Sequence, residues 1–172
     1  LRALTHFDLC RTFAQPYNYT SGATHLGVPV LRKTPGPDDN PSRKSVAEVY
    51  GLITEDLDSA ESRLRHTAQR GEKYVSLQAV YAMKSRVALY KEDWNAAVDN
   101  ARKALTANNT SSGVVANHLA SAEEYVKQYD NLGYTGEMIF RLSGADKKGK
   151  LKSFYESTGV PADTLYSLYE TN

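Results

Sequence analysis

A mainly α-helical fold, made of helical hairpins with one long proline-rich loop insertion and little β-structure, is predicted for this sequence by three observations. Ser45 and Glu48 form a capping box ahead of an apolar stripe of about five turns. Two later amphipathic segments are separated only by Lys91-Glu92-Asp93, a length typical of a tight turn. Five of the six prolines fall within residues 15–43, where they interrupt regular helix.

The first predicted helix covers about residues 1–13. Its apolar side chains recur at spacings of one to three residues: Leu4, Phe7, Leu9, Cys10 and Phe13. A helix that is apolar on most sides is typical of a buried core element, so we expect deep burial. We interpret Cys10 as a small core residue.

The loop insertion is predicted at residues 15–43. Within it, residues 26–31 favour a short extended piece, although Pro29 argues against a central strand because proline cannot donate to a strand ladder. Connections longer than about 12 to 15 residues are usually functional or disordered. We therefore expect any binding chemistry of this chain to lie in the insertion.

The second helix is predicted over about residues 45–65. The Ser45 and Glu48 side chains would each satisfy a free backbone N–H at its start. One face carries an apolar stripe predicted to be buried: Val46, Val49, Tyr50, Ile53, Leu57, Ala60 and Leu64. The opposite face is polar and is expected to be solvated.

The third and fourth helices are predicted at about residues 74–90 and 94–107, and their short link makes them antiparallel neighbours. Asp93 is placed to cap the fourth helix. The stripe expected to face the third helix is rich in alanine, which permits close approach: Trp94, Ala97, Val98, Ala101, Ala104 and Leu105. A short helix at about residues 121–129 and a brief strand at about 137–143 are predicted beyond them.

The second hairpin resembles a tetratricopeptide repeat. Asp93-Trp94-x-x-Ala97 matches the repeat's turn, and Ala101 and Ala104 match its small helix positions, with Asn109 where proline is usual. Its first helix fits less well, since Ser85 and Ala88 replace the customary glycine and tyrosine. One repeat cannot bury its own face, so the first and second helices are expected to supply a neighbouring pair split by the insertion.

The chain as a whole resembles the SusD/RagB nutrient-binding lipoproteins of the Bacteroidetes outer membrane. No single motif is specific, but their order and spacing together are. The motifs are Leu1-Arg-Ala-Leu-Thr-His-Phe-Asp-Leu9 leading to Pro16-Tyr17; Leu26-Gly-Val-Pro-Val30; Ser42-Arg-Lys-Ser-Val-Ala-Glu-Val-Tyr50 followed by Asp56-Leu57; Ala79-Val-Tyr-Ala-Met-Lys-Ser-Arg86 with Asp93-Trp94; and Glu137-Met-Ile-Phe140.

The resemblance implies an α–α superhelix and a role at the cell surface. A SusD-like protein captures a glycan or other nutrient and passes it to a TonB-dependent, SusC-like transporter, without catalysis. It would sit on the outer membrane through a lipid anchor, and this chain would be a fragment that lacks the lipidated cysteine and the C-terminal half. The rival interpretation is a tetratricopeptide adaptor that binds a peptide or partner protein in its groove.

Composition argues against several other classes of function. The 21 basic and 20 acidic residues give no excess charge for nucleic acid or an anionic membrane. A single cysteine precludes an internal disulfide, and we predict no cofactor. The four histidines lack metal-ligand spacing, and Asp38-Asp39-Asn40 favours a solvated turn over a calcium loop. Because no catalytic motif is present either, we do not expect an enzyme.

Four residues are candidates for ligand contact. Tyr17, Asn18 and Tyr19 lie in the insertion just after the first helix, and tyrosine offers a sugar both an apolar face and a hydroxyl. In SusD-like proteins glycan sites are built from loops on the helical scaffold, which favours these three; Arg2, at the outer end of the same helix, is the weaker candidate. Arg86 is expected to pair with a carboxylate of a neighbouring helix, because an unpaired charge among apolar residues is costly.

Overall fold

The computed structural model describes residues 1–67, 74–107, 121–130 and 139–140. These residues form five α-helices and one two-stranded antiparallel sheet, which confirms the predicted mainly α-helical fold. The elements in chain order are α1 Arg2–Phe13, β1 Leu26–Pro29, β2 Arg43–Ser45, α2 Val46–Leu64, α3 Leu77–Tyr90, α4 Trp94–Thr106 and α5 Ala122–Asp130. Two 3-10 turns, Tyr17–Tyr19 and Ser21–Ala23, lie between α1 and β1.

The start of α3 and the strand predicted at about 137–143 have different outcomes in the structure. Helix α3 begins three residues later than predicted, because the Ser76 side chain caps it by accepting a hydrogen bond from the Ala79 backbone N–H at 3.0 Å. Of the strand predicted at about 137–143, the structure describes only Ile139 and Phe140, neither of which is in a strand. The rest of that segment, like Asn109, lies outside the described residues.

The core is centred on the contact between α1 and α2. Phe7 is fully buried, and Cys10 is buried beside it, as expected for a core residue. The main cluster contains Ala3, Phe7, Cys10, Ala23, Val28, Val46, Val49, Tyr50, Ile53, Leu57, Val80 and Val87. Helix α1 is less deeply buried than predicted, because Leu9 and Phe13 lie exposed on its outer side.

Aromatic rings join α1 to the elements around it. The Phe7 ring meets Tyr50 of α2 and Tyr90 of α3 edge to face, with centroids 6.3 and 5.1 Å apart. Tyr17 packs on the other side of Tyr50, with a centroid distance of 4.8 Å. Such pairs contribute about 0.5–1.5 kcal/mol each beyond burial alone. Burial also raises the pKa of the Tyr50 hydroxyl, consistent with its place inside this cluster.

The insertion is anchored by its small sheet. Strand β1 pairs with β2 in antiparallel register, so the middle and the end of the insertion lie side by side next to α2. Gly27 makes this close approach possible, since a Cβ there would lie 3.0 Å from the Val49 side chain and 3.2 Å from the Lys44 carbonyl. The extended piece expected near Pro29 is thus a short strand of a two-stranded sheet, where missing one donor is tolerated.

The α3–α4 hairpin closes through a tight turn. Helix α3 ends in a Schellman motif: Asp93 N–H donates to the Ala88 carbonyl and Glu92 N–H to the Leu89 carbonyl, both at 3.0 Å. Glu92 therefore adopts a φ of 60°, in the left-handed region that glycine usually occupies. Asp93 then caps α4 by accepting from the Ala96 backbone N–H at 3.1 Å, which confirms its predicted role.

The predicted inner stripe of α4 divides between two faces. Ala97 and Ala104 are buried, and the Ser85 hydroxyl of α3 donates to the Ala97 carbonyl at 2.8 Å. The large members of the stripe point away from this seam: Trp94, Val98 and Leu105 are exposed. Our assignment of all six residues to one face was wrong, because only the alanines are small enough for the spacing between α3 and α4.

Candidate functional site

The structure brings three of the four candidate residues together. Tyr17, Asn18 and Tyr19 form the 3-10 turn just after α1, whereas Arg2 lies in the first turn of that helix. Helix α1 runs 11 residue steps from Arg2 to Phe13, or about 17 Å. Arg2 and the turn at Tyr17–Tyr19 thus lie at opposite ends of α1.

Arg2 is engaged by the protein itself. Its Nε and Nη2 donate to the two carboxylate oxygens of Asp56 on α2, at 2.7 and 2.5 Å, and its Nη1 donates to the Arg32 carbonyl at 3.0 Å. The hydrogen bond from Arg2 holds the pKa of Asp56 below its usual range. These contacts tie α1 to α2 and to the insertion, which is a structural use of the guanidinium.

Tyr17 and Asn18 also make structural contacts. The half-buried Tyr17 ring lies on Tyr50, and the Lys91 ammonium sits 5.3 Å from the centroid of the Tyr17 ring. Asn18 donates from its side-chain amide to the Lys91 carbonyl at 3.3 Å. Both residues therefore fasten the 3-10 turn to the link between α3 and α4.

Tyr19 differs from its two neighbours in the turn. It is 64% exposed, and its ring rests edge-on against His25 with a centroid distance of 5.4 Å. The ring is thus supported by one contact, while most of it is open to solvent. Of the three tyrosine and asparagine candidates in this turn, Tyr19 is the one whose aromatic ring lies mostly in solvent.

A set of hydrogen bonds fixes the position of His25, the residue on which the Tyr19 ring rests. The Thr20 hydroxyl oxygen lies 2.8 Å from His25 Nδ1 and accepts from the Thr24 and His25 backbone N–H groups at 3.1 and 3.3 Å. His25 Nε2 lies 3.2 Å from the Gln15 carbonyl. These hydrogen bonds fix the conformation of the chain from Gln15 to His25, next to Tyr19.

Sequence reasoning missed Arg43, which holds the insertion against α1. Its Nε donates to the Gly27 carbonyl at 2.5 Å, and its Nη2 lies 3.1 and 3.3 Å from the Leu26 and Phe13 carbonyls. One guanidinium thus joins β1 to the last turn of α1. All of its partners are main-chain carbonyls distant in sequence, so no local pattern could have indicated them.

A concave feature lies among α2, α3 and α4. It is a groove of about 310 Å³ lined by Thr54, Leu57, Asp58, Lys84, Val87, Ala88, Lys91, Asp93, Ala96, Asn100 and Lys103. Lys84 lies between Asp58, at 2.6 Å, and Glu61 of α2. The hydrogen bond from Lys84 lowers the pKa of Glu61.

The ion pairs between α3 and α2 are made by Lys84, which is partly buried, and not by Arg86 as predicted. Arg86 is exposed, and it makes no ion pair with the residues that the structure describes. The prediction was wrong because two residues along a helix rotate a side chain by about 200°, to the other face. The cation that α3 turns toward α2 is Lys84.

Within the described ranges, no group of three histidine, cysteine, aspartate or glutamate side chains is arranged to hold a metal ion. Asp39 accepts from the Gly36 backbone N–H at 2.8 Å, so the Asp38-Asp39 segment forms the turn that its sequence favoured. None of the helices in this part of the chain combines the length and the apolar composition that a bilayer crossing requires.

Comparison with known proteins adds an independent observation. No protein-family model and no curated protein matches the chain. Solved structures do: a SusD superfamily protein from Bacteroides thetaiotaomicron VPI-5482 is 35% identical over 72% of this chain, with a TM-score of 0.59. A second SusD superfamily protein, from Bacteroides vulgatus ATCC 8482, is 32% identical over 74% of the chain, with a TM-score of 0.60.

A third match extends over almost the whole chain. It is a Bacteroides vulgatus ATCC 8482 protein to which sugar binding is attributed, 27% identical over 99% of this chain with a TM-score of 0.73. The chain spans only 25%, 27% and 39% of the lengths of these three structures. The helical fold, the order of its motifs and these matches agree, and the chain belongs to the SusD superfamily.

Proposed function

We propose that this chain is part of a SusD-like protein that captures a glycan or other nutrient at the outer membrane surface and delivers it to a TonB-dependent, SusC-like transporter. Membership of the SusD superfamily supports this role, as does the sugar binding attributed to the match that covers 99% of the chain. The protein binds without catalysis and reaches the membrane through a lipid anchor.

The observation that carries the proposal is the supported, exposed ring of Tyr19. A sugar presents C–H groups on one side and hydroxyls at its edge, and a tyrosine held in place complements both. Tyr17 and Asn18 act differently, because their side chains already bind Tyr50 and the Lys91 carbonyl. They position the turn, while Tyr19 makes the contact with ligand.

A glycan array on the full-length protein, followed by calorimetry on any glycan that binds, tests this assignment. Tyr19→Ala is expected to weaken binding roughly tenfold, which corresponds to the free energy of about one aromatic contact. It should lower thermal stability only slightly, through loss of the exposed ring contact with His25. Phe13→Ala is the matched control, since Phe13 is an equally exposed aromatic residue that we do not place in the site. Unchanged affinity in Tyr19→Ala would remove Tyr19 from the site.

Tyr17 contributes to folding as well as to the candidate site. Tyr17→Ala is expected to lower stability as well as binding, because it removes the ring that packs on Tyr50. A combined change at both tyrosines therefore cannot separate ligand contact from folding. Tyr17→Phe keeps the ring and tests whether the hydroxyl itself touches ligand.

A second candidate function is a protein-binding adaptor, favoured by the groove among α2, α3 and α4. Ala96→Phe would partly fill this groove from α4. If the chain is an adaptor, that change abolishes peptide binding and Tyr19→Ala does not. Loss of glycan binding in Tyr19→Ala with no effect of Ala96→Phe supports the SusD-like role instead.

A further inference from the structure

Glu92 occupies a backbone position that favours glycine. Its φ of 60° lies in the left-handed region, at the residue that follows the C-cap of α3 in the Schellman motif. A residue with a Cβ is strained in this conformation, whereas glycine is not. Because a glutamate here costs stability, we looked for a role of its side chain outside folding.

The Glu92 side chain has no partner among the residues that the structure describes. It is exposed, and it makes no hydrogen bond, ion pair or ring contact with them. The neighbouring acid differs, since the Asp93 carboxylate accepts from the Ala96 backbone N–H and caps α4. Within the described part of the chain, the Glu92 carboxylate therefore keeps its lone pairs available to donors from outside.

Glu92 adjoins the 3-10 turn of the candidate site. The Asn18 side-chain amide donates at 3.3 Å to the Lys91 carbonyl, which belongs to the peptide bond between Lys91 and Glu92. The Lys91 ammonium also lies 5.3 Å from the centroid of the Tyr17 ring, so the turn meets the α3–α4 link at two points. Bond lengths along the path through Asn18 place the Cα atoms of Tyr19 and Glu92 at most about 14 Å apart.

We propose that the Glu92 carboxylate binds hydroxyl groups of a glycan that lies across the Tyr17–Tyr19 turn. A carboxylate has two oxygens and can accept from two adjacent hydroxyls of one sugar unit. Tyr19 offers its exposed ring to the C–H side of a neighbouring unit. The ligand class is therefore an oligosaccharide. This inference rests on the proposed function and adds to it a polar contact that belongs to the helical hairpin.

The assignment accounts for the absence of glycine at position 92. Stability favours glycine there, and hydrogen bonding to a ligand favours glutamate. Residues held in strained backbone conformations cluster at ligand sites for this reason. One substitution should consequently move stability and binding in opposite directions.

Glu92→Gly is that substitution. It removes the strained Cβ and is expected to raise the melting temperature of the 172-residue chain by about 2–4 °C. It also removes the carboxylate and is expected to weaken glycan binding roughly tenfold, the usual loss for a hydrogen bond to a charged group. A residue with only a structural role would not give a gain in stability together with a loss of affinity.

Two further variants serve as controls. Glu92→Gln keeps the length of the side chain and one acceptor oxygen but not the charge, so its affinity should fall less than that of Glu92→Gly, with the melting temperature unchanged. Asp99→Asn removes another exposed carboxylate, on α4, which likewise forms no ion pair with the described residues. It should change neither the affinity nor the melting temperature.

Calorimetric titration of the full-length protein with neutral oligosaccharides of glucose, galactose, mannose and xylose measures the affinities. Thermal unfolding of the 172-residue chain, followed by circular dichroism, measures the stability with no ligand present. Weaker binding and a higher melting temperature in Glu92→Gly support the proposal. Unchanged affinity overturns it, and so does a lower melting temperature, because the side chain would then serve the fold. An equal loss of affinity in Asp99→Asn also overturns it, since the effect would be one of overall charge.

The result for Glu92 is distinguishable from the result for the proposed function. If an oligosaccharide binds the wild type and Tyr19→Ala weakens it while Glu92→Gly does not, the glycan role stands and Glu92 lies outside the site. If no glycan binds the wild type, here or on the array, the glycan role itself fails and the Glu92 contact fails with it.

Discussion

Helices α3 and α4 are joined by three residues and pack through alanine and serine, whereas α1 and α2 are separated by residues 14–45 and pack through aromatic rings. Between α3 and α4, the second pair in chain order, the Schellman turn and the Asp93 cap already set the positions of the two helices. In the first pair the connection imposes no such geometry.

Polar side chains supply the missing constraint in the first pair. Three of the residues that tie the insertion to the helices are Arg2, His6 and Arg43, and each reaches at least one main-chain group distant in sequence. In this protein the long insertion needs side chain to backbone hydrogen bonds in addition to its strand pairing, whereas the short link is held mainly by its own backbone and one capping side chain. The two pairs should accordingly fail under different substitutions.

The largest effect is expected in the aromatic packing of the first pair. Phe7→Ala removes a fully buried ring that contacts Tyr50 and Tyr90, and it should lower the free energy of unfolding by about 3–5 kcal/mol. Phe13→Ala, one helix turn or more away and exposed, should change it by less than about 0.5 kcal/mol. Urea unfolding followed by circular dichroism measures both. Similar losses in the two variants would contradict the assignment of α1's buried face.

The α3–α4 pair should be destabilised by a larger side chain between the two helices. Ala97→Leu places three extra carbons in the α3–α4 seam, where overpacking costs about 1–3 kcal/mol. Val98→Leu, the next residue on the exposed face, serves as control and should be neutral. If Ala97→Leu is also neutral, the seam is wider than the buried alanines indicate.

The insertion should be sensitive at Gly27. Gly27→Ala puts a methyl group 3.0 Å from the Val49 side chain and should destabilise the protein by about 1–2 kcal/mol. Gly51→Ala, inside α2 with no atom within 4 Å of the new methyl, should stabilise it by about 0.5–1 kcal/mol. Opposite signs for the same chemical change are the outcome to look for in thermal unfolding.

The smallest effect concerns Asp56 in acid. Its pKa is lowered in the folded state by the hydrogen bond from Arg2, so its contribution is present above the unfolded pKa of about 4 and is lost as the pH falls through the lower folded pKa. Asp56→Asn should flatten this acid slope and lower stability only slightly at neutral pH, since solvent screens the exposed Arg2 partner. If the stability of Asp56→Asn falls below about pH 4 as steeply as that of the wild type, the acid dependence comes from other groups.

Local signals in the sequence were read correctly where the partner is a near neighbour. The capping box of Ser45 and Glu48 and the cap at Asp93 both formed as predicted, because each involves groups three residues apart. The start of α3 was missed for a related reason. Tyr74 and Val75 continue the apolar pattern, and only the Ser76 cap marks the true beginning.

Contacts between distant residues could not be predicted in the same way. The pairing of Leu26 with Ser45 depends on how the insertion folds back, and the Arg43 and His6 contacts with main chain leave no trace in local composition. The left-handed backbone conformation of Glu92 could not be predicted either, because glycine is the residue that usually occupies such a position. The tyrosines in the sequence located the candidate turn. Only the structure shows that Tyr17 packs on the helices, whereas Tyr19 is exposed.

Trp94 is the sole tryptophan of the chain, and it lies 60% exposed on the outer face of α4. Its fluorescence in the isolated chain should resemble that of an indole in water and should change little when the core unfolds. Any segment or partner that covers this face will shift the emission to shorter wavelength. The same indole that is a poor reporter of folding is therefore a built-in optical probe for whatever docks on α4.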